Sequence, residues 1–431
     1  MDPRSMRLAR TPAAFVFALL VAGGAAGAQP GAQPAAQSSA TATPALTLAD
    51  AIRRALEQPA LRAAAHEVAA TEAAVGQAGN YRNPELAWLR EGQQAGTRTT
   101  TIQLSQPIEL GGKRQARIAL ARSEAGIAHS ELALRRRDVR ADVIAAYYAV
   151  LVAQDSQGLA QDLVGLAQRS VDVAARRVAA GKVSPIDETR ARLAAVDAAT
   201  ELTRTRAELA VARAQLGALV GAAPSAIVLA AGETDALPDL VPQSALQERA
   251  AAGGAVARAR SQLAAQEAQA GVERAARMPD LTVTLGSQRE GIPELGASGH
   301  RQAVFGVSVP LPLFDRNQGR LSAALRRTDK ARDELAAAEK AAGAALDAAR
   351  TRYAAAREEA RLLHRDAIPQ AHSAYTLTLR GFEAGKFGFL DVLDAQRSWF
   401  QARARRAAAL LAAWRAYADI ERLAGADDPI H

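Results

Sequence analysis

The chain has 431 residues, enough for two or three ordinary domains, and roughly a quarter of them are alanine. Aromatic residues make up only 4% and cysteine is absent, which excludes disulfide frameworks, thiol catalysis, iron–sulfur clusters, cysteine zinc sites and lipid attachment through an N-terminal cysteine. Fifty-three basic against forty-five acidic residues give a net charge of +8, whose meaning depends on where it sits. Ala, Leu, Arg, Glu and Lys together exceed the ~50% level typical of long helices and coiled coils.

At the N-terminus, Arg4, Arg7 and Arg10 precede the apolar run Ala13 to Ala22, and small residues lead to Ala26-Gly27-Ala28. A positive start, a short apolar stretch and an A-x-A site are the three parts of a secretory signal peptide. A run of ten falls short of the ~20 residues that span a bilayer. Residues 1–28 are therefore expected to be cleaved, which removes three Arg and one Asp and lowers the charge from +8 to +6. Residues 29–45 are Pro, Gln, Ala and Ser without periodicity, a flexible leader. No other segment reads as a transmembrane helix, so an exported chain that crosses a membrane must do so without helices.

The remainder is organised by an internal repeat. AGKVSPID at 180–187 returns as AGKFGFLD at 384–391, an offset of 204, and Leu219 and Gly221 match Leu423 and Gly425 at the same offset. NPEL at 83–86 resembles MPDL at 278–281, and QPIELGGKR around Pro107 lies opposite VPLPLFDRN around Pro310. Landmarks kept in order at near-constant spacing mark two copies of one unit. They are residues 46–221 and 243–426, with a linker at 222–242 and a C-terminal tail at 427–431.

Each copy has the same internal order. A helix of about thirty residues comes first (46–79 and 243–277), with Thr47 and Asp50 as a capping box. Two alternating segments follow, about 85–106 and 281–310. Next come a very long helix (113–180 and 318–383), a turn (181–184 and 385–388) and a final helix (185–220 and 389–424). At 1.5 Å per residue the long helix spans about 100 Å and each shorter one about 50 Å. The lengths suit a long helix running beside two short ones placed end to end. Leu120, Ile127 and Leu134 recur every seven residues, with Leu132 and Val139 interleaved, as in a coiled-coil seam.

In the alternating segments, Leu281, Val283 and Leu285 interleave with Thr282, Thr284 and Gly286. Ala303, Phe305, Val307 and Val309 interleave with Val304, Gly306 and Ser308. Ile102 and Leu104 interleave with Gln103 and Ser105, and Leu86 and Trp88 mark the incoming strand. A period of two means strands with one apolar face, here paired as hairpins through Gly-rich loops. Such hairpins commonly pack on a soluble core. These lie at the ends of very long helices in an exported chain, and their length suits tilted membrane strands of ~9–11 residues. Four strands cannot close a barrel, since the smallest has about eight, so closure needs several chains.

Signal peptide, tandem repeat, strand pairs and long helices together resemble the TolC-type outer-membrane efflux proteins, over essentially the whole mature chain. LSQPIELGGKR (104–114) and SVPLPLFDRNQG (308–319) are similar to the cobalt–zinc–cadmium branch. The resemblance implies a mainly α fold with a small β part, assembled as a homotrimer. Its twelve-stranded outer-membrane barrel would sit on a periplasmic α-helical tunnel. It implies a passive exit duct for divalent heavy-metal cations. Its partners would be a periplasmic membrane-fusion adaptor, an inner-membrane pump of the resistance-nodulation-division type and outer-membrane lipid. A multidrug or type I secretion duct of the same build is the alternative, and a soluble periplasmic coiled-coil adaptor the more distant one.

Two sites follow. Gly181 and Gly385 suit left-handed helix ends. Ser184 with Asp187 reads as a capping box and Pro185 as a first helical residue. Capping leaves unexplained the exposed Lys182 and Val183 of one turn and Lys386 and Phe387, before Gly388, of the other. The resemblance puts both turns at the periplasmic mouth, where the adaptor docks. It also implies that Asp391 and Asp394, on one side of the last helix, line a constriction. Asp391 equally fits a first-turn carboxylate meeting the helix dipole.

Other features carry no chemistry. His66, His129, His300, His364, His372 and His431 include no chelating helical pair, since His364 and His372 are eight apart. Arg135, Arg136 and Arg137 sit beside Glu131 and Asp138, a solvated face rather than a nucleic-acid surface. No phosphate loop, catalytic triad or acid pair is found, so neither cofactor nor enzymatic activity is expected.

Overall fold

The computed structural model describes residues 45–92, 98–227, 234–291 and 300–425, all within the unit Thr43–His431. The expected signal peptide, the leader up to residue 44 and the C-terminal tail lie outside the described residues. The first half contains α1 (Leu48–Leu56), α2 (Pro59–Ala78), β1 (Glu85–Glu91), β2 (Arg98–Ile108), α3 (Lys113–Ala179) and α4 (Pro185–Val220). The second contains α5 (Gln243–Ala252), α6 (Gly254–Ala275), β3 (Leu281–Gly291), β4 (His300–Ser308), α7 (Gln318–Leu362), α8 (Ile368–Glu383) and α9 (Phe389–Ala424).

Three stretches expected to be continuous helices are interrupted, each at a residue that weakens the backbone ladder. The 46–79 helix ends at Leu56 and restarts at Pro59, which serves as a first helical residue. The 243–277 helix breaks at Gly253-Gly254, where Gly254 takes a left-handed φ of 59°. The 318–383 helix passes through a π turn at Leu363–Ala367. Pro369 has no N–H for the Arg365 carbonyl and its ring crowds that group, so the ladder widens there. The matching residue 204 positions earlier is Gly165, and α3 runs unbroken for 67 residues, about 100 Å.

Thr47 Oγ1 accepts the Asp50 N–H at 3.1 Å and gives its own proton to Asp50 Oδ2 at 2.8 Å. The second capping box does not form. Ser184 Oγ accepts the Ile186 N–H at 3.4 Å, while Asp187 turns to Arg190 at 3.6 Å.

Alanine sets the helix packing. In the first half of α3 the buried positions include Ala121, Ala125, Ala128 and Leu132, so the expected seam holds at Leu132, with Val139 packed beside it, while Leu120, Ile127 and Leu134 are only partly covered and alanines make the closest contact. Nearer the turn, Ala160, Ala167 and Ala174 recur every seven residues in α3, and Thr205, Ala198 and Ala191 do so in α4, all 3% exposed or less. These positions lie at equal distances on either side of the turn, as knobs in an antiparallel pair should. Small knobs place axes near the short end of the usual 8–10 Å range. α3 packs along both α2 and α4, and α7 along both α6 and α9.

The largest core gathers Ile144, Tyr147, Val150 and Leu151 of α3, Leu209 and Leu216 of α4, Ile52 of α1 and Trp414 of α9. Residues 234–239 are strapped over the second half. The Trp414 indole donates to the Thr234 carbonyl at 2.9 Å, Tyr353 donates to the Pro238 carbonyl, and Arg357 pairs with Asp239 at 2.7 Å. Arg422 of α9 pairs with Asp142 of α3 at 2.7 Å, joining the two halves.

The four strands form one antiparallel sheet in the order β1-β2-β3-β4. The β2–β3 ladder runs from Arg98 opposite Gly291 to Ile108 opposite Leu281. β1 and β4 are edges without a partner among the described residues.

Leu216, with none of its surface exposed, sits in the largest core. Leu216→Ala is expected to destabilise the fold by about 2–5 kcal/mol, read as a lower urea midpoint of unfolding.

Candidate functional site

The sheet register sorts side chains by character. Residues opposite one another across neighbouring strands share a face, as do alternate residues along a strand. One face carries the rows Leu86–Leu104–Leu285–Phe305 and Trp88–Ile102–Ser287–Ala303, followed toward the helices by Val283 with Val307 and by Ile108 with Leu281. The other carries Glu85–Ser105–Thr284–Gly306, Ala87–Gln103–Gly286–Val304 and Leu89–Thr101–Gln288–Gln302. Ser105 and Thr284 hydroxyls meet at 3.0 Å on this polar face. The apolar face is bare: Leu86 is 74% and Phe305 71% exposed. Leaving large apolar groups bare in water is unfavourable by roughly 25 cal/mol per Å², so this face is made for a non-aqueous neighbour or another chain.

The segments quoted as family-like build the strand-to-helix corners. Gly111 and Gly112 take φ of 70° and 75°, a region that favours glycine, and a methyl on Gly111 would also meet the Met278 side chain. Lys113 Nζ then pairs with Asp280 Oδ1 at 2.6 Å, tying the GGK corner to the MPDL segment. In the second half Asn317 holds the matching left-handed position, φ 59°, and its amide donates to Glu273 O at 2.8 Å and Oε2 at 2.7 Å.

At the opposite ends of the long helices are the two turns. Each is a Schellman close. Gly181 N–H bonds to Val178 O and Lys182 N–H to Arg177 O, both at 2.9 Å; Gly385 N–H bonds to Phe382 O at 2.9 Å and Lys386 N–H to Gly381 O at 2.8 Å. The two tips are brought together. Ala174 and Ala191 share a buried cluster with Tyr375, Phe382, Phe389, Val392 and Leu393. The Arg177 guanidinium donates to the Phe382 carbonyl and lies 4.2 Å from the ring centroid.

The expected tip residues divide. Lys182, Ser184, Lys386 and Gly388 are exposed, and Phe387 is 51% exposed with its ring lying over Gly381. Val183 is not free: it is half-buried against the aromatic cluster, which corrects its reading as an exposed, unexplained residue. Leu390, 48% exposed beside Phe387, was missed because a leucine in a helical first turn reads as core. Arg177 was missed as well. One arginine among many in a long helix carries no local signal of a contact 205 residues away.

Asp391 Oδ2 accepts the Gly388 N–H at 2.9 Å, anchoring the start of α9. Asp394 is exposed one turn on, and among the described residues no cation pairs with either carboxylate. The positions 204 residues earlier are Asp187 and Arg190, which pair with each other. The two halves thus share a first-turn aspartate, but only the second leaves two carboxylates uncompensated. Of the histidines, His129 pairs with Glu72 at 3.0 Å and His372 lies against Trp399. Among the described residues no group of three metal-ligating side chains occurs, and no helix is long and apolar enough to cross a membrane.

Tandem helical hairpins carry one two-faced antiparallel sheet, and likeness to known proteins gives this build a class. Residues 51–222 and 241–426 match the family described as Outer membrane efflux protein, and the chain belongs to that family. It is 43% identical over 365 residues to the cobalt-zinc-cadmium resistance protein CzcC of Cupriavidus metallidurans, covering 85% of this chain and 86% of that one. It is 32% identical to protein CyaE of Bordetella pertussis, covering 85% and 84%. The fold is shared with the open-state outer membrane channel MtrE of Neisseria gonorrhoeae, at a TM-score of 0.73, 20% identity and 88% coverage of both chains. It is an outer-membrane efflux component.

Gly385 holds φ 76° at the second tip. Gly385→Ala is expected to cost about 1 kcal/mol and to speed exchange of the Lys386 amide, whose bond to Gly381 depends on that turn. Gly385→Asn, more tolerant of the left-handed region, should cost less. Hydrogen-exchange mass spectrometry of the tip reads both.

Proposed function

We propose that three copies of this chain form an outer-membrane exit duct, four strands from each making a twelve-stranded barrel and the helices a periplasmic tunnel. The observation that carries the reading is the sheet: one apolar face, one polar face and two edges without a partner among the described residues. In hydrocarbon every backbone N–H and C=O must be satisfied, so an open edge is untenable and closure is obligatory. β4 of one copy meets β1 of the next, the apolar rows face lipid and the Ser, Thr and Gln rows face water. β2, β3 and β4, of 11, 11 and 9 residues, match the ~9–11 of a tilted membrane strand, and β1 has 7.

The duct is passive and performs no catalysis. A periplasmic adaptor docks on the paired tips at Gly181 to Ser184 and Gly385 to Gly388, six near-equivalent turns in a trimer. Lys182, Lys386 and the half-bare Phe387 supply its contacts. An inner-membrane pump supplies energy and selection. Asp391 and Asp394 line the periplasmic constriction, where three copies bring six carboxylates together and favour cations. The cargo inferred is divalent heavy-metal cations, supported by the 43% identity to a cobalt-zinc-cadmium resistance protein and by the uncompensated aspartates.

Two measurements test this. The protein should require detergent for extraction and migrate as a heat-resistant oligomer, and recovery in the soluble periplasmic fraction would overturn the barrel. In planar bilayers, D391N/D394N should change single-channel conductance and reduce cation selectivity, and unchanged values would remove the constriction from the reading.

A further inference from the structure

Beyond the apolar rows, toward the hairpin loops, the same face of the sheet changes character abruptly. The next row is Arg90 opposite Thr100, Thr100 opposite Arg289, and Arg289 opposite Arg301. It stands four residues past the Leu86–Leu104–Leu285–Phe305 row, about 13 Å along the strands. Arg98, two residues further along β2, lies on the same face. All four arginines are exposed, and among the described residues none has an ion pair. The acidic residues near this level, Glu91 and Glu290, lie in the row Glu91–Thr99–Glu290–His300, on the polar face. The carboxylates are thus turned away from the arginines by the pleat.

Arg289 directly opposite Arg301 is a like-charge cross-strand pair, an arrangement that destabilises a sheet unless an anion lies between the two. The arginines cannot be a solvated lumen lining, because they share the face of Leu86, Trp88 and Phe305. They are not a core ion-pair network, because among the described residues that face has no acid at their level. Guanidinium groups bind phosphate oxygens through paired N–H donors, more tightly and with more directional fit than an ammonium does.

The geometry points to an anionic-lipid site: Arg90, Arg289 and Arg301, flanked by Arg98, bind the phosphates of a phosphorylated glycolipid of the outer leaflet. The lipid's acyl chains lie down the apolar rows below. This rests on the barrel reading above, which sets the Leu86 face toward lipid and the hairpin loops toward the outside. The row recurs in each of three copies, so the site is a girdle at headgroup level. It fixes the depth of the barrel and relieves the Arg289–Arg301 repulsion.

The test uses the purified full chain as its detergent-extracted oligomer. It is incubated separately with diphosphoryl lipid A and with fully dephosphorylated lipid A, repurified, and read by native mass spectrometry for retained lipid. Diphosphoryl lipid A should be retained and the dephosphorylated form washed out, and an equimolar amount of inorganic phosphate should not displace the lipid. R90Q/R289Q/R301Q should weaken retention by about a hundredfold while leaving the heat-resistant oligomer intact. R90K/R289K/R301K should retain the lipid at an intermediate level. Equal retention of the two lipids by the unmodified protein overturns the inference, and that comparison stands even where the glutamine variant fails to assemble. Full retention by an assembled glutamine variant, or displacement by equimolar phosphate, overturns it too. A heat-resistant detergent oligomer without lipid preference sinks this inference alone; a chain that needs no detergent sinks it together with the barrel.

Discussion

Close approach between helices is the constraint on which the rest of the molecule depends. A 67-residue helix has no means of holding its own direction in water, and only continuous contact with neighbours keeps it in place. Ala160, Ala167 and Ala174 of α3, matched about the turn by Thr205, Ala198 and Ala191 of α4, fix both separation and register. A knob with one methyl has few alternative packings at short separation, so the position of the turn follows from the position of the ladder. This is how the paired tips at one end and the sheet at the other come to be set by residues along the helices between them. The second half secures its hairpin differently, with Phe382 against Phe389 and Tyr375 against Trp399, at ring separations of 5.5 Å. The aromatic residues, so scarce in the composition, are concentrated where alanine gives way.

The two halves are copies with unequal duties. The left-handed corner before each long helix is met by Gly112 in one and Asn317 in the other, and the second buys its conformation with side-chain bonds to Glu273. Pro369 breaks the α pattern of the second long segment, whereas Gly165 leaves the first continuous. Arg190 neutralises Asp187, whereas Asp394 doubles the charge of Asp391. Each difference lies at a place where the two repeats depart from equivalence. Such divergence leaves the two tips alike in backbone form but unlike in charge, with the uncompensated carboxylates confined to the second.

Much of this was legible in the residues, and the rest was not for identifiable reasons. The repeat, the helix ends at Gly181, Gly221 and Gly385 and the β period are local patterns, and the last helix spans Phe389–Ala424 as its caps imply. Of the expected seam Leu132 is buried and Val139 packs against it, whereas Leu120, Ile127 and Leu134 are only partly covered, because large aliphatic residues outweigh alanines in any reading by hydrophobicity. In an alanine-rich bundle the smallest residues instead mark the closest contact. The interruptions at Gly253-Gly254 and Pro369 were passed over because one unfavourable residue in a strongly helical stretch is often tolerated. Val183 and Arg177 depend on contacts across the two halves, which no window of sequence contains.

The strand register is the part that sequence could least supply, and it carries the most functional information. Alternation alone divides each strand into two faces without saying which faces of different strands agree. Once Leu86, Leu104, Leu285 and Phe305 fall into one row, every other residue of the sheet is assigned, because a one-residue slip would reverse a whole strand. The apolar rows are consistent only with this alignment, and the same alignment gathers Arg90, Arg289 and Arg301 at the next polar level. The net positive charge of the chain therefore does have one localised meaning. Most of it is dispersed along helices in pairs such as Arg192 with Glu188 and Arg204 with Glu201. At the loop end of the sheet the pleat separates arginines from glutamates onto opposite faces, so that among the described residues Arg90, Arg289 and Arg301 share their face with no acid.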